Sequence, residues 1–192
     1  MVQGTLYIHS SHARFYWAAE LLKELKLEDV KIVFGRDSEE FIKNFPLNKA
    51  PAFIEHDGWT LTETPAILEY LIAASGNTKL NGVTLREKAK VLQWVNFINQ
   101  DFFKASSLVN YIVPDIEDKR AEWIAKGIEI IEHVDKTLAT RKWLATDEIT
   151  IADIYTYKTL LGYTDSFGKV DKYEHIQRWI KDFESAAPIY KE

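Results

Sequence analysis

The chain contains no cysteine. That excludes disulfides, thiolate metal sites, a catalytic thiol and any Cys-x-x-Cys redox pair. No apolar run approaches the roughly 20 residues that span a bilayer. The N-terminus, Met1-Val2-Gln3-Gly4, enters directly into an apolar strand pattern and lacks the basic and apolar regions of a signal peptide. There is no basic excess. Residues 1–76 carry 7 basic and 11 acidic side chains and residues 77–192 carry 17 and 18, so neither half offers a basic nucleic-acid surface. The histidines His9, His12, His56, His133 and His175 fall at no metal-ligand spacing, and no metal is expected. What remains is a globular composition, with 46% hydrophobic and 28% charged residues over 192 positions, enough for one large domain or two small ones. A reducing, cytoplasmic location fits the missing cysteines.

The organisation changes near residue 76. Residues 5–9 alternate, with Leu6 and Ile8 on one face, and read as a strand. Phe15, Ala18, Ala19, Leu22 and Leu25 follow helical spacing. Val30–Phe34 is β-branched and apolar, and Asp37-Ser38-Glu39-Glu40 starts a helix with acids in its first turn. Ala52–Ile54 and Trp59–Leu61 flank the hairpin signal Asp57-Gly58. Thr64–Ala74 is a helix with Pro65 in its first turn and Gly76 past its end. The order β-α-β-α-β-β-α predicts an α/β, thioredoxin-like domain over residues 1–76. Asn77–Thr84 reads as a linker. From 84 to 192 the pattern is all-helical, with a long helix from Leu85 ending before Pro114, one carrying Ile124 to Leu138, one from Thr150 to about Leu161, and one from Glu174 to about Ser185. Thr150-Ile151-Ala152-Asp153 is a capping box that starts a buried helix.

The stretch Lys49-Ala50-Pro51-Ala52-Phe53 carries the most chemistry. A proline between two short strands cannot donate to a sheet ladder. A cis X-Pro bond is one solution, and it turns the Ala50 main chain outward, where an extended peptide can pair with it. Glu63-Thr64 opens the next helix, whose N-terminal N–H groups favour an anion. Together these describe a site for a peptide carboxylate. Ser10 lies between the first strand and the first helix, where it reads as a helix cap or, as the family resemblance given below implies, as a hydroxyl that holds a thiolate. Ser11 can take either role and His12 can also donate. Lowering a thiol from about 8.5 to about 7 takes roughly 2 kcal/mol, within the roughly 1.5–3 kcal/mol of one charge-assisted hydrogen bond.

The α/β module followed by an all-helical module, with these motifs, resembles the glutathione transferase family over almost the whole chain. The resemblance implies that Ser10 holds the glutathione thiolate, that Lys49 pairs with a peptide carboxylate, and that the Ala50 main chain beside cis Pro51 pairs with the peptide. It further implies that Glu63 meets the γ-glutamyl ammonium and that Thr64 binds the adjacent carboxylate. Threonine stands here in place of the family's serine, which adds a methyl group near the ligand. Phe45-Pro46-Leu47-Asn48-Lys49-Ala50-Pro51-Ala52-Phe53, Leu61-Thr62-Glu63-Thr64-Pro65-Ala66-Ile67, Val91-Leu92-Gln93-Trp94-Val95-Asn96-Phe97 and Trp143 to Asp153 are similar to the transferase-like N-terminal region of the gamma subunit of translation elongation factor 1, particularly the fungal type. That branch implies, as the main expectation, a protein-interaction scaffold that binds the nucleotide-exchange subunit of the factor and can retain glutathione binding, with an active transferase as the alternative. The general family implies an active glutathione S-transferase, and a homodimer through the helix at 64–74 and the next long one. Neither implies direct nucleic-acid or membrane contact.

Overall fold

The computed structural model describes residues 2–9, 15–112 and 116–191. Four strands, β1 (Gly4–Ile8), β2 (Val30–Phe34), β3 (Ala52–Glu55) and β4 (Thr60–Thr62), form one sheet in the order β2-β1-β3-β4. β1 and β2 run parallel, and β3 and β4 are antiparallel to their neighbours. Helices α1 (Ala18–Glu24), α2 (Glu39–Asn44) and α3 (Thr64–Ala74) complete the thioredoxin-like unit. The alternation in the sequence sorts side chains to the two faces. Leu6, Ile8 and Phe53 join the large core with α1 and α3, while Tyr7, Ala52 and Ile54 meet Phe41 and Phe45 of the α2 segment in a second, smaller cluster. The Tyr7 hydroxyl donates to Glu40, which ties α2 to the sheet from that side.

The remainder is helical. α4 (Leu85–Phe97) opens with a complete capping box between Thr84 and Glu87. The single long helix expected up to Pro114 is interrupted in its hydrogen-bonding pattern. π-helical turns at Ile98–Phe102 and Leu108–Ile112 flank α5 (Phe103–Ser107). The first widened turn carries buried Asn99, which accepts from the Tyr155 hydroxyl at 2.9 Å. α6 (Glu117–Leu138) starts before the periodic apolar residues, with Glu117 and Asp118 in its first turn. α7 (Ile151–Gly162), α8 (Thr164–Phe167) and α9 (Glu174–Ala186) follow, with short 3₁₀ turns at Val170–Lys172 and Pro188–Tyr190. α8 and the 3₁₀ turns are too short to leave a periodic signal in the sequence.

α7 is the centre of the molecule, with every residue from Ile151 to Leu160 buried. Its start is held by Asp153, which has no exposed surface. The carboxylate accepts from the N–H of Leu144 at 2.9 Å, the N–H of Thr150 at 3.1 Å, the Thr150 hydroxyl at 3.2 Å and the indole of Trp179 on α9 at 3.2 Å. Burial raises its pKa to about 6, against the four donors that pull it down. Towards the α/β unit, buried Lys158 reaches Glu20 of α1 at 3.5 Å, and the Leu80 carbonyl accepts from the Ile151 N–H at 2.8 Å. One apolar cluster runs without a break from β1, α1 and α3 into α4, α6, α7 and α9.

Asp153→Ala removes the shared acceptor and strands buried donors, each of which costs about 1–3 kcal/mol. A loss of about 3–5 kcal/mol is expected in urea unfolding. The carboxyl pKa is raised on folding, so its contribution favours the native state below about pH 4 and is lost as pH rises through about 6. The stability of the wild type relative to Asp153→Asn should therefore rise on going from pH 7 to pH 4. Gly127 of α6 lies against the Phe167 ring, where a Cβ would collide with it. Gly127→Ala should lower the unfolding midpoint by about 1–3 kcal/mol of stability, with the denaturant slope unchanged.

Candidate functional site

The loop between α2 and β3 carries the residues expected to pair with a peptide. Phe45 is buried and anchors the loop, Lys49 is exposed, Ala50 is half-buried, and Pro51 is buried after a cis Ala50–Pro51 bond. The ladder begins one residue later, with Ala52 opposite Tyr7 on β1 and Thr62 on β4. The Ala50 main chain therefore stands outside the ladder, at the edge where an extended ligand can pair with it.

Glu63 joins β4 to α3 with φ 70° and ψ 122°. Left-handed φ is unfavourable for a glutamate, at a cost of about 1–3 kcal/mol. The conformation turns the chain sharply from strand to helix. The Glu63 carbonyl accepts from the Ile67 N–H at 3.0 Å, while its side chain is exposed and caps nothing. The first turn of α3 thus has no side-chain cap from Glu63, and its N–H dipoles face the same corner as the carboxylate. Thr64 is fully buried, so a ligand carboxylate must displace what covers it to reach its N–H. Alongside, a groove of about 540 Å³ runs between α3 and α4, lined by Glu63, Ala66, Glu69, Leu92, Asn96 and Gln100 among others.

Ser10, Ser11 and His12 lie outside the described residues. The helix that follows them begins at Ala18, after a turn holding Phe15 to Trp17, and has no side-chain cap at Trp17. The structure brings Lys49, Ala50 and Pro51 into one loop and sets Glu63 and Thr64 at one helix end. It also shows a residue that sequence reasoning missed. Arg36, after β2, donates from Nη1 to the Asn48 carbonyl at 2.6 Å. No spacing rule links positions 36 and 48, since the contact exists only once both loops are folded. Among the described residues, no cluster of three His, Asp or Glu side chains fits a metal ion, and no helix is long and apolar enough to cross a membrane.

With this geometry in place, comparison with known proteins is direct. Residues 2–73 match the family described as Glutathione S-transferase, N-terminal domain, and residues 114–187 match Glutathione S-transferase, C-terminal domain. Glutathione S-transferase Y-2 of Pichia kudriavzevii is 30% identical over 100% of this chain and 99% of its own length. Elongation factor 1-gamma of Artemia salina is 35% identical over 84% of this chain, but the match spans 39% of that protein. Among solved structures, a glutathione S-transferase from Pichia kudriavzevii superposes with TM-score 0.86 at 31% identity, covering 100% of this chain and 96% of that one. The transferase-like domain of elongation factor 1-gamma from Saccharomyces cerevisiae gives TM-score 0.79 at 28% identity, covering 100% and 92%. The thioredoxin-like and all-helical architecture is that of these proteins, and the chain belongs to the glutathione S-transferase family.

Proposed function

We propose that this protein binds glutathione and conjugates its thiolate to small electrophiles. The observation that carries the reading is the corner where the Ala50 main chain, outside the ladder, and the exposed, uncapping Glu63 side chain meet the head of α3, whose first residue Thr64 is buried. Each recognises a different part of a γ-glutamyl tripeptide. The Ala50 main chain pairs with the cysteinyl backbone, Glu63 attracts the ammonium, the α3 end and Thr64 take the adjacent carboxylate, and Lys49 takes the other. The nucleophile is the sulfur of the ligand itself. The protein orients it, and Ser10, with Ser11 and His12 as neighbours, supplies the hydrogen bond that keeps it ionised. The new C–S bond forms as the electrophile accepts the electron pair or expels its leaving group. End-to-end similarity to a transferase of nearly the same length supports this reading.

A second reading has its own support. The similarity to elongation factor 1-gamma is as high as 35%, and the segments that carry it include the peptide loop and the head of α3. On that reading the domain is a scaffold for the nucleotide-exchange subunit, and glutathione binding is retained or vestigial. The α3–α4 face, with exposed Leu92 lining the groove, then serves the partner, whereas in a transferase it serves a second copy of the chain. A cytoplasmic setting suits both.

Calorimetric titration with glutathione, run with a conjugation assay on a chromogenic aryl halide, separates them. Binding with turnover is expected, and Ser10→Ala should cut turnover at pH 7 about tenfold, as a thiol pKa rise of about one unit implies, with affinity little changed. Binding without turnover would favour the scaffold. No binding at millimolar glutathione would sink the peptide-site reading. Glu63→Gln should weaken glutathione about 10- to 100-fold, the range of one charge-assisted hydrogen bond. Glu63→Gly deletes the same carboxylate but relieves the left-handed backbone. It should bind as poorly as Glu63→Gln while melting at or above the wild-type temperature. A clear fall in its melting temperature would show that the side chain holds the turn.

A further inference from the structure

Two loops flank the peptide edge, and one side chain ties them together. Gly35 (φ 119°) turns the chain out of β2, and Arg36 follows it. Its guanidinium donates to the Asn48 carbonyl at 2.6 Å, across twelve residues of sequence. Asn48 itself is left-handed, with φ 49°, and Lys49 is the next residue. The bond therefore fixes the main chain immediately before Lys49. Neither Arg36 nor Lys49 forms an ion pair among the described residues, although acidic side chains are plentiful in this half of the chain. An exposed lysine on an unbraced loop samples many positions, and a bond from a planar guanidinium to the peptide group beside it removes much of that freedom.

We infer that Arg36 is a positioning residue for the peptide site: by holding the Asn48 carbonyl it aims Lys49 at the C-terminal carboxylate of the bound peptide, and so sets selectivity for a tripeptide over the dipeptide that lacks the last residue. The inference rests on the glutathione-binding reading. Arg36 acts through Lys49, so its removal should matter only when the ligand carries that carboxylate and only when Lys49 is present.

The test is a double-mutant cycle with Arg36→Gln and Lys49→Gln, read as calorimetric Kd for glutathione and for γ-glutamylcysteine. Each single substitution should weaken glutathione about tenfold, the low end for a charge-assisted bond, and change γ-glutamylcysteine by less than about twofold. The double variant should be no worse than Lys49→Gln alone, because the two residues act as one unit. Arg36→Lys should not restore affinity, since an ammonium lacks the planar fork that meets the carbonyl. Multiplicative losses in the double variant would overturn the inference, as would equal losses for both ligands, which is the signature of a loop that has simply come apart. A wild type that binds both ligands equally well would also overturn it while leaving the glutathione site standing. A wild type that binds neither would remove the site and the inference together.

Discussion

The buried carboxylate of Asp153 is the interaction on which the rest of the structure hangs. Four donors from three segments converge on it, two of them main-chain N–H groups that have no route to water. A charge with no exposed surface is tolerable only when its lone pairs are filled in this way. The consequence is mechanical. The Trp179 indole binds α9 to the start of α7, and the Leu144 N–H binds the preceding loop to the same point. α7 then has a fixed origin from which all its faces can be packed. An apolar helix end could be buried as deeply, but it would not select one register among neighbours of similar shape.

From that origin the constraint reaches the site through few steps. Lys158, on the third turn of α7, meets Glu20 of α1, and Tyr190 after α9 donates to Glu24 one turn further along the same helix. α1 is thereby pinned to the helical unit at two successive turns, and its apolar face packs on β1. The residues of the proposed peptide site lie just before β3, next to β1 in the sheet, and the Glu63 turn follows β4, next to β3. The candidate site is built where the chain enters β3 and at a helix end, elements that the core holds, with Pro51 and Thr64 buried and Lys49 and Glu63 exposed. This division lets Glu63 keep an unfavourable backbone conformation. The local cost of about 1–3 kcal/mol is borne by the pairing of β4 behind it and the burial of α3 ahead of it.

Much of this was legible in the sequence because the signals were local. Alternation at Leu6 and Ile8, the β-branched run Val30–Phe34, the Asp57-Gly58 turn and Pro65 in the first turn of a helix each report on a few neighbouring residues, and β2 and α3 fall at the residues so indicated. The capping box at Thr150 announced α7, and the cis bond at Pro51 is one of the solutions open to a proline between two short strands. What escaped was non-local or too brief. The π turns of the long helix coincide with a contact between Asn99 and Tyr155, 56 positions apart. α8 has four residues and the 3₁₀ turns three each, below any period. At the site, the family resemblance implied that Lys49 and Thr64 meet carboxylates of a bound peptide and that Glu63 meets its ammonium. The burial of Thr64 and the brace from Arg36 to Asn48 depend on how separate loops meet, and no spacing encodes that.

The two functional readings make different demands on the same framework. Conjugation asks for a small, preorganised corner: an edge that pairs with a peptide, a fixed carboxylate, and a hydroxyl near a thiol. Association asks for an extended face with apolar anchors, and the α3–α4 side offers exposed Leu92 in a groove lined also by Glu63, Glu69, Asn96 and Gln100. Glu63 belongs to both, because its carboxylate lines the groove and stands at the peptide corner. A ligand ammonium that engages Glu63 changes the charge at one end of the groove, and a partner that covers the groove limits access to the corner. The two uses therefore cannot be independent. Competition between glutathione and a bound protein would appear as a shift in one affinity when the other site is filled, of equal size in both directions, since coupling between two sites is reciprocal. What separates the two readings is the species whose affinity shifts: a second copy of the chain in a transferase, a different protein in a scaffold whose pocket regulates assembly.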